Sequence, residues 1–313
     1  MYLPLHSNAN KFLVNTSGSG KTRLLFEGLT RHWGFYFTTI VNRGNHMLGS
    51  VDLQSALESI ATSRGFNDDP WKLPTSERGD AFMFNDVVAK RHVYQILTAR
   101  LLVFERFLKV AREVRPAASL NGLKLHWLHL QLCSEGIFSG VDLFARISSL
   151  LGDASDEFLL MGGRKLQYRL VDLRTRFDLD IEFFLILDEA QVALNFLPDS
   201  FCSYSNNELK RPVLSPIVDT FSRSASFPAI VSGTDLSINV VNDVVNASVG
   251  GGEEFLLKIP TDAFDDKESQ RKYIMRYMPR HIAQTDSGEA LIERAWNFAR
   301  GRWVYVYSQH DAR

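Results

Sequence analysis

Between the apolar triplet Phe12-Leu13-Val14 and an amphipathic stretch over 21–32 lies a run of small and polar residues, Asn15-Thr16-Ser17-Gly18-Ser19-Gly20. A second apolar run, Gly34-Phe35-Tyr36-Phe37-Thr38-Thr39-Ile40, follows almost at once. Strand, tight loop, helix and strand in this order read as a βαβ unit, whose right-handed crossover favours a parallel sheet covered by helices. The expected fold class is therefore α/β.

The loop carries a chemistry of its own. A loop that wraps phosphate needs small residues, so that successive backbone N–H groups can turn inward, and a helix N-terminus aimed at the anion. It also needs a lysine to reach the outer phosphates and a hydroxyl for Mg²⁺; here these are Lys21 and Thr22. One position departs from the pattern G-x-x-x-x-G-K-[ST]: Asn15 stands where the first glycine belongs. Asparagine tolerates left-handed backbone angles better than other non-glycine residues, so the turn can still be made.

A third apolar run, Ile181-Glu182-Phe183-Phe184-Leu185-Ile186-Leu187, has the length and composition of a strand buried on both faces, and it ends in Asp188-Glu189. Ligands of open α/β sheets bind outside the carboxyl ends of the strands. There one carboxylate could orient a metal or its water and the other polarise an attacking water. Alone, such a pair reads equally well as an N-terminal helix cap; beside the loop, the chemical reading gains. Further strands are expected over 227–232 and 255–259, and helices over 53–63, 81–114, 123–132, 141–151, 158–177, 266–277 and 288–300.

The loop Thr16-Ser17-Gly18-Ser19-Gly20-Lys21-Thr22-Arg23, the strand end Leu187-Asp188-Glu189-Ala190-Gln191 and the turn Ser232-Gly233-Thr234 resemble P-loop ATPases of the AAA+ and STAND type. The lettering is most similar to a group of fungal predicted ATPases, akin to the NTPase modules of Crinkler-type and retrotransposon hot-spot proteins. The resemblance implies ATP and Mg²⁺ as ligands, with Asn15, Thr16, Ser17, Gly18, Ser19, Gly20, Lys21, Thr22 and Arg23 around the nucleotide. It implies Thr22 and Asp188 at the metal, Glu189 activating water, and Ser232 or Thr234 as the sensor beside the Asp-Glu strand. It further implies a P-loop core over 1–260 and a helical lid over 261–313 that reads as truncated or divergent; the 167 positions between Lys21 and Asp188 depart from a compact core, so the mainly helical stretch at about 80–178 reads as an insertion into it. Arg300 or Arg302 would reach from that lid to the γ-phosphate, although cations at a helix C-terminus also simply complement its dipole.

Three readings follow: an ATP hydrolase, a nucleotide-dependent switch with little turnover, and a degenerate scaffold that no longer binds nucleotide. The remaining features are blander. With 35 Lys+Arg against 36 Asp+Glu, nothing in the total charge draws the chain to nucleic acid or anionic lipid. Two cysteines and no leader-like N-terminus suggest a reducing, cytoplasmic setting, and no run is apolar enough for a membrane helix. A protein partner and an oligomeric state are left open. His126, His129 and Cys133 could offer metal-ligand spacing but read better as part of a packed helix face. Arg100, Arg106, Lys109, Arg112 and Arg115 read as the solvated face of an amphipathic helix.

Overall fold

In the computed structural model, the described residues are 10–14, 20–40, 48–115, 117–179, 182–203, 209–224, 228–234, 236, 255–258 and 266–299. Strands β1 (Asn10–Val14), β2 (Trp33–Thr38), β3 (Phe183–Asp188), β6 (Ala229–Gly233) and β7 (Phe255–Lys258) form one sheet in the order β2-β3-β6-β1-β7. Every pairing in it is parallel. A separate antiparallel pair, β4 (Phe201–Cys202) and β5 (Lys210–Arg211), was not foreseen in the sequence.

The period of two in the strands sorts their side chains onto two faces. Phe12, Trp33, Phe35, Phe37, Phe183, Leu185, Leu187, Ala229 and Val231 enter the larger cluster. Leu13, Tyr36, Phe184, Ile186 and Ile230 enter the smaller one, with Leu25 and Leu29 of helix α1 (Lys21–Leu29). The larger face is covered by α2 (Asp52–Thr62), the 40-residue α3 (Thr75–Val114) and α10 (Leu214–Ser224), through Leu57, Ile60, Ile96, Phe104, Ile217 and Phe221 among others. Edge-to-face aromatic contacts join sheet to helix: Trp33 to Phe104 with centroids 5.4 Å apart, and Phe35 to Phe104 at 5.9 Å.

The helical segment between β2 and β3 continues with α4 (Leu120–Leu132), α5 (Ser134–Ile137), α6 (Leu143–Leu150), α7 (Asp156–Arg164) and α8 (Leu166–Phe177). Where one helix was expected over 158–177, two occur, with Lys165 between them. The segment is part of the core. The side chain of Gln131 on α4 accepts from the Tyr36 N–H at 2.9 Å and donates to the Gly34 carbonyl at 3.2 Å, while the Trp127 indole donates to that carbonyl at 2.8 Å. These groups lie on the outer side of β2, at the end of the strand order, so α4 stands where another strand would otherwise pair.

Two sequence expectations change here. Arg100 does not lie on a solvated face: it is fully buried, its guanidinium bound to Asp52 at 2.7 and 3.0 Å and set over the Phe144 ring at 4.0 Å. Arg106, Lys109, Arg112 and Arg115 are exposed as expected. His126 and His129 point to solvent, and the packed face of α4 is made instead by Lys124, Trp127, Leu128 and Gln131.

Between β3 and β6, α9 (Ala190–Asn195) precedes α10. At the C-terminal end α11 (Lys267–Tyr277), α12 (Arg280–Ala283) and α13 (Asp286–Ala299) pack on one another through Ile274, Met278, Ala283 and Ile292. Among the described residues no helix is long and apolar enough to cross a membrane.

Candidate functional site

The carboxyl ends of β1, β3 and β6 are neighbours, because β6 lies between the other two. By the alternation that sends Phe184, Ile186 and Ile230 toward α1, the side chains of Asp188 and Ser232 also point to the α1 side. The start of α1 thus meets the end of β3. Its N-cap, Gly20, has φ of 84°, a left-handed conformation that disfavours a side chain. Gly20 has no side chain with which to cap α1, and the helix itself carries no acidic residue in its first turn. Lys21, the first residue of α1, is buried, whereas Arg23 is exposed and pairs with Glu27 one turn on at 2.9 Å.

Asp188 is the centre of the arrangement and is 2% exposed. Its Oδ2 accepts from the Thr22 hydroxyl at 2.7 Å and from the Tyr36 hydroxyl at 3.1 Å, and its Oδ1 from the Glu189 N–H at 3.0 Å. A buried carboxylate is tolerable only with such donors. Burial first, and then the negative charge of Asp188, push the Tyr36 hydroxyl well above its usual range, so Tyr36 acts as a donor.

Glu189 follows with φ of 56°, unusual for a residue with a long side chain. This conformation is held locally: the Glu189 carbonyl accepts from the Thr39 hydroxyl, and the Thr39 N–H bonds the Asp188 carbonyl at 3.3 Å. The Glu189 carboxylate accepts from the side-chain amide of Gln191, whose own oxygen takes the Thr234 N–H at 3.0 Å. Ser232 is fully buried, and its hydroxyl has no hydrogen-bond partner among the described residues.

The structure therefore brings together Thr22, Asp188 and Glu189, with Thr234 joined to Glu189 through Gln191. Gly20 and Lys21 stand at the same helix start, and Ser232 faces the same side of the sheet. Asn15, Thr16, Ser17, Gly18, Ser19, Arg300 and Arg302 lie outside the described residues. Two participants were not singled out from sequence. Tyr36 reads there only as a strand aromatic, although its place two residues before Thr38 puts it on the Asp188 side of β2; Gln191 reads only as a letter of a motif. No group of three or more His, Cys, Asp or Glu among the described residues is placed to hold a metal ion. No protein-family model matches the chain, and no curated protein is detectably similar to it.

Proposed function

We propose that this protein is a P-loop-type ATPase that binds Mg·ATP at the carboxyl end of its sheet and hydrolyses it. The observation that carries this reading is the hydrogen bond between Thr22 and Asp188, which joins the end of the lysine-bearing loop to the end of the Asp-Glu strand. The residues also fit the metal. Mg²⁺ demands few protein ligands and takes its remaining oxygens from phosphates and water. A threonine hydroxyl beside one buried carboxylate suits a metal that arrives with a nucleotide, and Thr22 and Asp188 would hold it. Bound there, it would neutralise charge on the phosphate oxygens.

The chain's own groups supply the rest. The N–H groups at the start of α1 and the Lys21 ammonium would stabilise the phosphate anion. Glu189 would accept a proton as water attacks the terminal phosphorus and the bond to the leaving diphosphate breaks, giving ADP and phosphate. Ser232, buried on the α1 side with a hydroxyl that has no partner among the described residues, would serve as a donor to the reacting groups. The helices over 267–299 would serve as the lid. A switch with little turnover uses the same binding residues, so the two readings part at hydrolysis.

A fluorescent ATP analogue tests the first step: Mg²⁺-dependent binding is expected for the parent and loss of it for Lys21→Ala. Phosphate release tests the second, with Glu189→Gln retaining binding and losing turnover. Absence of binding by the parent would overturn the proposal, and binding without phosphate release would leave the switch in its place.

A further inference from the structure

We propose that Gln191 is a positioning residue that fixes the Glu189 carboxylate by clipping it to the end of β6. The inference rests on the reading of Glu189 as the group that activates water.

Gln191 lies in the first turn of α9, and its amide has two ends of opposite chemistry. The NH₂ donates to Glu189 Oε2, and the oxygen accepts the Thr234 N–H at 3.0 Å. A carboxylate can only accept and a backbone N–H can only donate, so only this orientation of the amide satisfies both neighbours. One side chain thus spans the ends of two adjacent strands, β3 and β6.

The backbone around Glu189 is already held by Thr39 and Asp188, but the glutamate side chain has three further torsions to fix. Without a partner, its carboxylate would sample several rotamers. The clip selects one and refers it to the strand that also carries Ser232. Its surroundings are cut to fit: a Cβ on Gly233 would come within 2.8 Å of Gln191 Oε1, so glycine leaves the room that the amide fills. Alternatives at position 191 each lose part of the device. Asparagine is one methylene too short. Glutamate keeps an acceptor for Thr234 but sets a second carboxylate against Glu189. Methionine keeps the size and loses both hydrogen bonds.

The test uses the full chain with Gln191→Met, Gln191→Glu and, from the opposite side, Gly233→Ala, each checked for folding by its melting temperature. Steady-state phosphate release should show kcat lowered by about 10- to 100-fold while KM and the analogue Kd stay within about twofold of the parent, because positioning is lost and binding is not. In single turnover, adding Gln191→Met to Glu189→Gln should bring no further loss, since the two act as one unit. Parent-like or raised kcat in both Gln191 variants overturns the clip, as does an undiminished effect of Gln191→Met in the Glu189→Gln background. If Glu189→Gln itself turns over like the parent, the assignment of the base fails and the clip falls with it. If Glu189→Gln is inactive and the Gln191 variants are not impaired, the clip alone fails.

Discussion

Thr22 and Asp188 stand 166 positions apart in the chain and are joined by a 2.7 Å hydrogen bond from hydroxyl to carboxylate. The contact requires β1 and β3 to end at the same level with only β6 between them. Thr22→Val keeps the volume and removes the hydroxyl. The added affinity that Mg²⁺ gives for nucleotide should fall by about 10- to 100-fold, the worth of one bond to a charged group. Titration with the fluorescent analogue, with and without Mg²⁺, measures this; an unchanged Mg²⁺ effect would count against the metal assignment.

Tyr36→Phe removes the second donor to the same carboxylate oxygen without opening a cavity. Asp188 keeps Thr22 and the Glu189 N–H, so the loss should stay near 1–2 kcal/mol, at the lower end of a bond to a charged group. Urea unfolding reads it as a lower midpoint with an unchanged slope.

The Arg100–Asp52 pair is fully buried, and burial raises the Asp52 carboxyl above its ordinary range although Arg100 pulls it the other way. Asp52→Asn leaves the guanidinium uncompensated and should destabilise the fold by about 3–5 kcal/mol. Replacing both, Asp52→Leu with Arg100→Met, should range from neutral to a gain of up to about 4 kcal/mol. Equal losses in the single and double variants would show that the pair is not the unit that matters.

Gly34→Ala tests how closely β2 approaches its neighbours. A Cβ there would lie 2.6 Å from the Phe184 carbonyl oxygen and 2.7 Å from Leu29 Cδ2. The expected cost is about 1–3 kcal/mol of overpacking, again read by urea.

His92 gives a pH dependence. Burial, helped by the charge of Arg91, holds its imidazole below the ordinary 6.5. Because the folded value lies below the unfolded one, the neutral ring's contribution is intact above pH 6.5 and is lost as pH falls through the folded value. His92→Gln should therefore narrow the difference between urea midpoints taken at about pH 7.5 and about pH 5.

The strands of the parallel sheet were legible because fully buried strands write long apolar runs bounded by loops, and the ends of β3 and β6 shift by only one or two residues from the expected ones. The candidate site was legible where a single short segment carries the candidate residues, as at Lys21-Thr22 and Asp188-Glu189. It was not legible where partners are set by register: Tyr36 meets Asp188 because β2 pairs with β3, which no local pattern records. Arg100 looked like one more surface cation, since helical spacing cannot reveal that Asp52, 48 positions earlier, waits in the core. Helix α10 is different. Leu214, Ile217, Val218 and Phe221 carry a clear helical period, which the surrounding serines and Pro216 masked.

The covering of β2 by Trp127 and Gln131 sets a limit on how this protein can be shortened. Excising the helices between β2 and β3 would look like trimming an ornament from a compact α/β domain. The cut would bare the Tyr36 N–H and the Gly34 carbonyl along a strand rich in aromatic residues, a ready template for strands of other molecules. A minimal version of this domain would have to keep α4, or supply a strand in its stead, to keep that edge covered.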